Sequence, residues 1–119
     1  MVRVLVTVEP RMYREAIALA VQRARPDSEV MLAPEEKLDG QVQDLAPHVL
    51  VRNASGQDIP REQLGGMICR LEVLYTDGMA ARVSIGDRSY MIEDASVDDL
   101  LSLVDEAEAL AERDEGLTT

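Results

Sequence analysis

The chain has 119 residues, and its 23 acidic against 12 basic side chains give a formal charge of −11. That length suits one domain, and an apolar fraction of 46% is enough for a core without metals or disulfides. No stretch reaches the roughly 18 apolar residues of a membrane span, and the acidic balance argues against nucleic acid, whose backbone is neutralised by Lys and Arg. With no Phe, no Trp and three Tyr the core must be aliphatic and base-stacking platforms are not expected. The single cysteine, Cys69, cannot form an internal bridge, and the opening Met-Val-Arg-Val-Leu-Val-Thr-Val has no small-residue cleavage site after it. A cytoplasmic protein is the expectation.

Val2 to Val8 is a β-branched, nearly continuous apolar run, the pattern of a strand buried on both faces of a parallel sheet. After Glu9-Pro10 the spacing becomes helical, with Tyr13, Ile17, Ala20 and Ala24 on one stripe, Ala16 and Val21 widening it, and Pro26 as its stop. Glu29 to Ala33 reads as a short second strand. Leu38, Val42 and Leu45 mark a helix that starts near Pro34-Glu35-Glu36, where acids suit the positive helix end, and stops at Pro47. Pro47 to Asn53 is a third strand, leaving into a polar loop with turn chemistry at Gly56.

Strands alternating with helices at this spacing predict right-handed βαβ units and a parallel sheet. The second half changes rhythm. Met67 to Tyr75 predicts a fourth strand after a Gly65-Gly66 turn, and Ala81 to Ile85 with Ser89 to Glu93 predicts a hairpin about Gly86-Asp87. Ser96 with Asp99 forms a capping box for a last helix whose stripe is Val97, Leu100, Leu101, Val104, Ala107 and Ala111. The domain is expected to span 1–111, with 112–119 as a polar tail that frays.

Two of these segments resemble a known family. Val2 to Ile17, a strand leading through Glu9 into a helix with Arg14-Glu15, resembles the opening of response-regulator receiver domains. Pro47-His48-Val49-Leu50-Val51-Arg52-Asn53 is similar to the third receiver strand, which ends on the aspartate that accepts a phosphoryl group. The resemblance covers roughly the first 55 residues. It implies a three-layer flavodoxin-like α/β domain, parallel in its first half with strand order 2-1-3-4, closed here by a hairpin and a final helix.

The site that the resemblance implies is dismantled. Val8 and Glu9 stand where the family has two acids, and the acceptor position falls on Asn53, whose amide cannot form an acyl phosphate. Transfer to an aspartate needs a hard cation held by several oxygens, and Glu9 alone is a poor substitute. Thr76 matches the family's hydroxyl residue, the lysine expected after the last strand has no counterpart because Lys37 lies elsewhere, and the hairpin replaces the helix between the last two receiver strands.

Glu9, Asn53 and Thr76 should share the carboxyl edge of the sheet, where open α/β folds bind ligands, with Arg52 beside them to hold an anion or to pair with a surface acid. They fit a cation, a nucleotide or a small metabolite, or else they are strand-end and capping residues. His48 lacks a partner nucleophile and reads as a surface residue where the strand begins. Cys69, inside an apolar strand, reads as a small hydrophobe. The acids from Asp94 to Glu112 lack the spacing of a calcium loop and read as a solvated helix face. Leu103 and Leu110, seven residues apart and beside the packing stripe, outline a partner or homodimer surface with Met79 or Met91, or else a wide stripe.

The expectation is a stand-alone degenerate receiver-like domain, not phosphorylated, that works through protein contacts, with itself or another partner. The alternative is a small-molecule or nucleotide-binding protein using the crevice of Glu9, Arg52, Asn53 and Thr76. No catalytic residue, cofactor or metal is assigned. At this length any output would come from a separate partner.

Overall fold

The computed structural model describes residues 2–9, 11–34, 47–53, 67–75 and 79–118, apart from the side chains of Tyr75, Met79 and 112–118. The expected helix around Leu38, Val42 and Leu45, the turns at Gly56 and Gly65-Gly66, Lys37 and Thr76 lie outside the described residues.

The elements run β1 (Arg3–Val6), α1 (Arg11–Ala24), β2 (Glu29–Leu32), β3 (Val49–Asn53), β4 (Cys69–Tyr75), β5 (Met79–Ile85), β6 (Arg88–Ile92) and α2 (Val97–Thr118). They form an α/β domain around one six-stranded mixed sheet in the order β2-β1-β3-β4-β5-β6. β1 pairs in parallel with β2 and β3, and β3 with β4, whereas β5 is antiparallel to both β4 and β6.

The antiparallel portion is larger than the sequence led us to expect. The anticipated hairpin is present, with Ile85 opposite Arg88 and Gly86 at φ 58°, a left-handed conformation in which glycine is favoured. A second hairpin joins β4 to β5. Only residues 76–78 separate the two strands, and a parallel crossover needs about a dozen, so the chain can only turn back.

α1 and α2 pack on the same face of the sheet. There Val2, Val4, Val6 and Val8 of the β1 segment meet Val49 and Val51 of β3, Leu71 and Val73 of β4, and Ala81, Val83 and Ile85 of β5. Period-two alternation sends Leu5 and Leu50 to the opposite face, where they cluster with Ala33, Met31 and Met67.

The buried stripe of α1 is rotated from the expected one. Ala18 and Val21 are buried with Ile17 packed beside them, while Tyr13 is exposed. An arginine occupies each end of this stripe, Arg14 and Arg25. On α2 the packed residues are Leu100, Leu103, Val104 and Ala107, while Val97 is exposed. α2 starts on the expected capping box: Ser96 N–H donates to Asp99 Oδ2 at 2.9 Å and Asp99 N–H donates to Ser96 Oγ at 3.4 Å. It runs on to Thr118, through the segment expected to be a fraying tail. Glu112, Arg113 and Glu115 at its start are good helix formers that carry the helix on from Ala111. Among the described residues no helix is long and apolar enough to cross a membrane.

Candidate functional site at the carboxyl edge

β1 and β3 end side by side, and the chain leaving β1 passes the last residue of β3. Thr7 N–H donates to Val51 O at 2.8 Å, carrying the parallel ladder one step past β1. Two residues on, a side chain takes over. Asn53 Oδ1 accepts from Glu9 N–H at 3.1 Å, and Asn53 Nδ2 donates to Glu9 O at 3.2 Å. A carboxamide sets an N–H donor beside a carbonyl acceptor as a peptide group does, with a second N–H to spare, so Asn53 stands in for a further rung of the sheet.

The Glu9 side chain is held from α1. Arg14 Nη1 lies 3.3 Å from Glu9 Oε1 and also donates to Ala33 O at 3.3 Å, past the end of β2. Arg14 is 11% exposed at its side chain and Glu9 47%, so this arginine is a largely buried brace joining β1, β2 and α1. Next to it Arg11 Nε donates to Glu15 Oε1 at 2.8 Å. The groove formed by Arg11, Arg14, Glu15, Leu32, Ala33 and Pro34 has a volume of about 310 Å³.

The structure therefore brings Glu9 and Asn53 together, but Arg52 is not with them. Alternation along β3 puts Arg52 on the face of Leu50, where it is 1% exposed, and Asn53 on the face of Val49 and Val51. The expected crevice lining of Glu9, Arg52 and Asn53 is corrected accordingly: a strand cannot send adjacent residues to one side. Arg14 is the member that sequence reasoning missed. The available signal was its place three residues before Ile17, on the helix face that turns inward.

The remaining candidates are structural. His48 Nδ1 accepts from Arg3 N–H at 2.9 Å, while His48 N–H donates to Arg3 O at 2.9 Å, so its ring and backbone both hold β1 at the start of β3. Cys69 is buried in the core, and burial pushes its thiol up to about 12, far from a reactive thiolate. Leu103 is 3% exposed and belongs to the core, which corrects its expected place on an interface. Leu110 is partly buried against the same cluster. Met91 is exposed but sits opposite Arg82 on the other side of the sheet, so it makes no common surface with these leucines.

A second cavity, of about 210 Å³, lies between the sheet and the two helices; its walls include Ile17, Val51, Leu71 and Leu100, with Ser96 and Asp99 at the start of α2. Among the described residues no group of three or more His, Cys, Asp and Glu side chains converges. The chain matches no family model, no curated protein and no solved structure. What fold and site define is an α/β protein with a mixed sheet, whose carboxyl edge is tied together by Asn53 and Arg14.

Proposed function

We propose that the chain is a degenerate receiver-like domain of flavodoxin-like ancestry, cytoplasmic and not phosphorylated, that acts as a protein-interaction module. The observation that carries this reading is the pair of hydrogen bonds between Asn53 and the backbone of Glu9. At the position where the resemblance requires a phosphoryl acceptor, the side chain is an amide, and its oxygen and one of its two N–H groups are committed to the backbone of Glu9, just past β1. The carboxylate that would hold a cation, Glu9, is matched to Arg14. The order β2-β1-β3-β4, parallel throughout, also supports the ancestry. Contact with a protein is favoured by large apolar side chains on the outer side of α1, where Met12 is 68% and Leu19 48% exposed one heptad apart.

Incubation with acetyl phosphate and magnesium, followed by intact-mass measurement, tests the reading: the mass stays unchanged. An added phosphoryl group would overturn it. The alternative, binding of a small metabolite or nucleotide, draws support from the 310 Å³ groove beside Arg11 and Arg14. A thermal-shift screen in which a nucleotide stabilises the wild type but not Arg11→Ala would favour that alternative.

A further inference from the structure

The face of the sheet turned away from α1 and α2 gathers arginines in an otherwise acidic chain. Strand register sets Arg52, Glu72 and Arg82 in one row across β3, β4 and β5. Arg70, Ser84 and Ser89 form the adjacent row across β4, β5 and β6. Three arginines thus surround one carboxylate.

That carboxylate leaves Arg70 and Arg82 without a hydrogen bond to it. Arg70 Nε lies 3.8 Å from Glu72 Oε1, beyond hydrogen-bond reach, and is shut off from solvent without an acceptor. Arg82 is exposed and takes part in none of the ion pairs among the described residues. Directly opposite residues of an antiparallel pair hold their Cβ atoms about 5 Å apart, so Arg70 and Ser84 rise from the sheet side by side, and Ser89 follows one strand further on. A cavity of about 170 Å³ opens against Arg70, Ser84 and Gly86. The row offers guanidinium and hydroxyl donors, with a second guanidinium beside it.

We propose that Arg70, Ser84 and Ser89, with Arg82 alongside, bind the phosphate group of a small ligand. A tetrahedral dianion has oxygens enough for donors on three adjacent strands and charge enough for both Arg70 and Arg82, whereas a carboxylate supplies one charge and two coplanar oxygens. Guanidinium is the group best suited to such an oxyanion. The ligand is small because the overall charge of −11 repels a polyanion. The site lies on the opposite face from Asn53 and stands independently of the receiver-like reading, which concerns covalent transfer.

Isothermal titration at constant ionic strength tests it, with inorganic phosphate and glycerol phosphate as probes and acetate as the carboxylate control. Saturable binding of at least one phosphate probe, weakened at least tenfold in Arg70→Gln and several-fold in Arg82→Gln but unchanged in Asn53→Ala, is the expected result. Tighter binding of glycerol phosphate than of inorganic phosphate identifies the source as an ester. Because Arg70 is partly buried, Ser89→Asp supplies a second variant: it places a like charge on an exposed position and abolishes binding while circular dichroism stays native. Absence of saturable heat with both phosphate probes, equal binding of acetate, or an unchanged affinity in Ser89→Asp would overturn the proposal.

Discussion

The carboxamide of Asn53 grips the backbone of Glu9 from both sides, accepting from its N–H at 3.1 Å and donating to its carbonyl at 3.2 Å. The two residues are 44 positions apart in sequence, so this is a tertiary clamp between the ends of β1 and β3. It also decides where Arg14 can act, because the fixed Glu9 backbone sets the carboxylate within 3.3 Å of Arg14 Nη1.

Asn53→Asp tests the clamp. The carboxylate keeps an acceptor for Glu9 N–H but replaces the donor with an oxygen facing Glu9 O, so a hydrogen bond becomes a repulsion. The loss is about 1 kcal/mol, the ordinary contribution of one such bond, with the repulsion added. Asn53→Ala removes both bonds without the repulsion and leaves groups that water can reach. Urea denaturation should rank wild type above Asn53→Ala and Asn53→Asp at pH 7. A gain in stability for Asn53→Asp would show that the amide is not the group the edge requires.

A different tether joins the helices. Arg25 Nε donates to Asp105 Oδ1 at 2.6 Å and Arg25 Nη2 to Oδ2 at 2.7 Å, a two-pronged contact between the end of α1 and the middle of α2. The Arg25 hydrogen bond holds the Asp105 carboxyl below its ordinary range. A carboxyl lowered on folding binds protons more weakly in the native than in the unfolded state, so its contribution is complete above the unfolded value and disappears as pH falls through the folded one. That window lies below about pH 4. Arg25→Gln should therefore destabilise at pH 7 and make progressively less difference as the pH drops below 4. Both residues are partly solvent-exposed, so 1 M salt should also shrink the difference. A gap between wild type and variant that ignored both pH and salt would assign the role of Arg25 to packing.

How much of this was legible beforehand differs by level. The strands β1 and β3 announce themselves as apolar runs rich in valine, and the Ser96-Asp99 capping box is present as two hydrogen bonds. The antiparallel return of β5 was also available, since residues 76–78 are too few for a crossover. Helix faces were harder. On α1, Tyr13 and Ile17 share a spacing with Arg14 and Ala18, and only the sheet decides that Ile17, Ala18 and Val21 turn inward while Tyr13 stays exposed. Long side chains such as Arg14 bury their stems and still reach a carbonyl, so a hydrophobicity pattern passes over them. The clamp at Asn53 was not legible at all, because an amide can cap, turn or bridge, and only the neighbouring strand selects the last.

His48 shows the same dependence on a neighbour. Its Nδ1 accepts from Arg3 N–H at 2.9 Å at the start of the β1–β3 pairing. His48→Ala leaves that N–H without its acceptor, with a loss of about 1–3 kcal/mol if the site stays dry. His48→Asn places an oxygen near the Nδ1 position and should recover part of it. Amide hydrogen exchange at Arg3 reads the bond directly: faster in His48→Ala, and slowed again in His48→Asn. Equal exchange rates in all three proteins would mean that the imidazole contributes nothing to holding β1.

Leu103 and Leu110 look alike in sequence and should behave differently. Leu103 is 3% exposed within the cluster that α2 shares with α1 and the sheet, whereas Leu110 packs only against the margin of that cluster. Truncating a buried leucine to alanine removes its transfer free energy and leaves a cavity, together about 2–5 kcal/mol. Leu103→Ala belongs in that range. Leu110→Ala should fall below it, because a partly exposed side chain has less to lose and water can fill the gap. In urea the midpoint for Leu103→Ala should lie well below that for Leu110→Ala, with unchanged molecular mass by light scattering for both. Equal midpoints would return Leu103 to the surface, and a change in mass for Leu103→Ala alone would make it the contact between two copies that its sequence spacing first suggested.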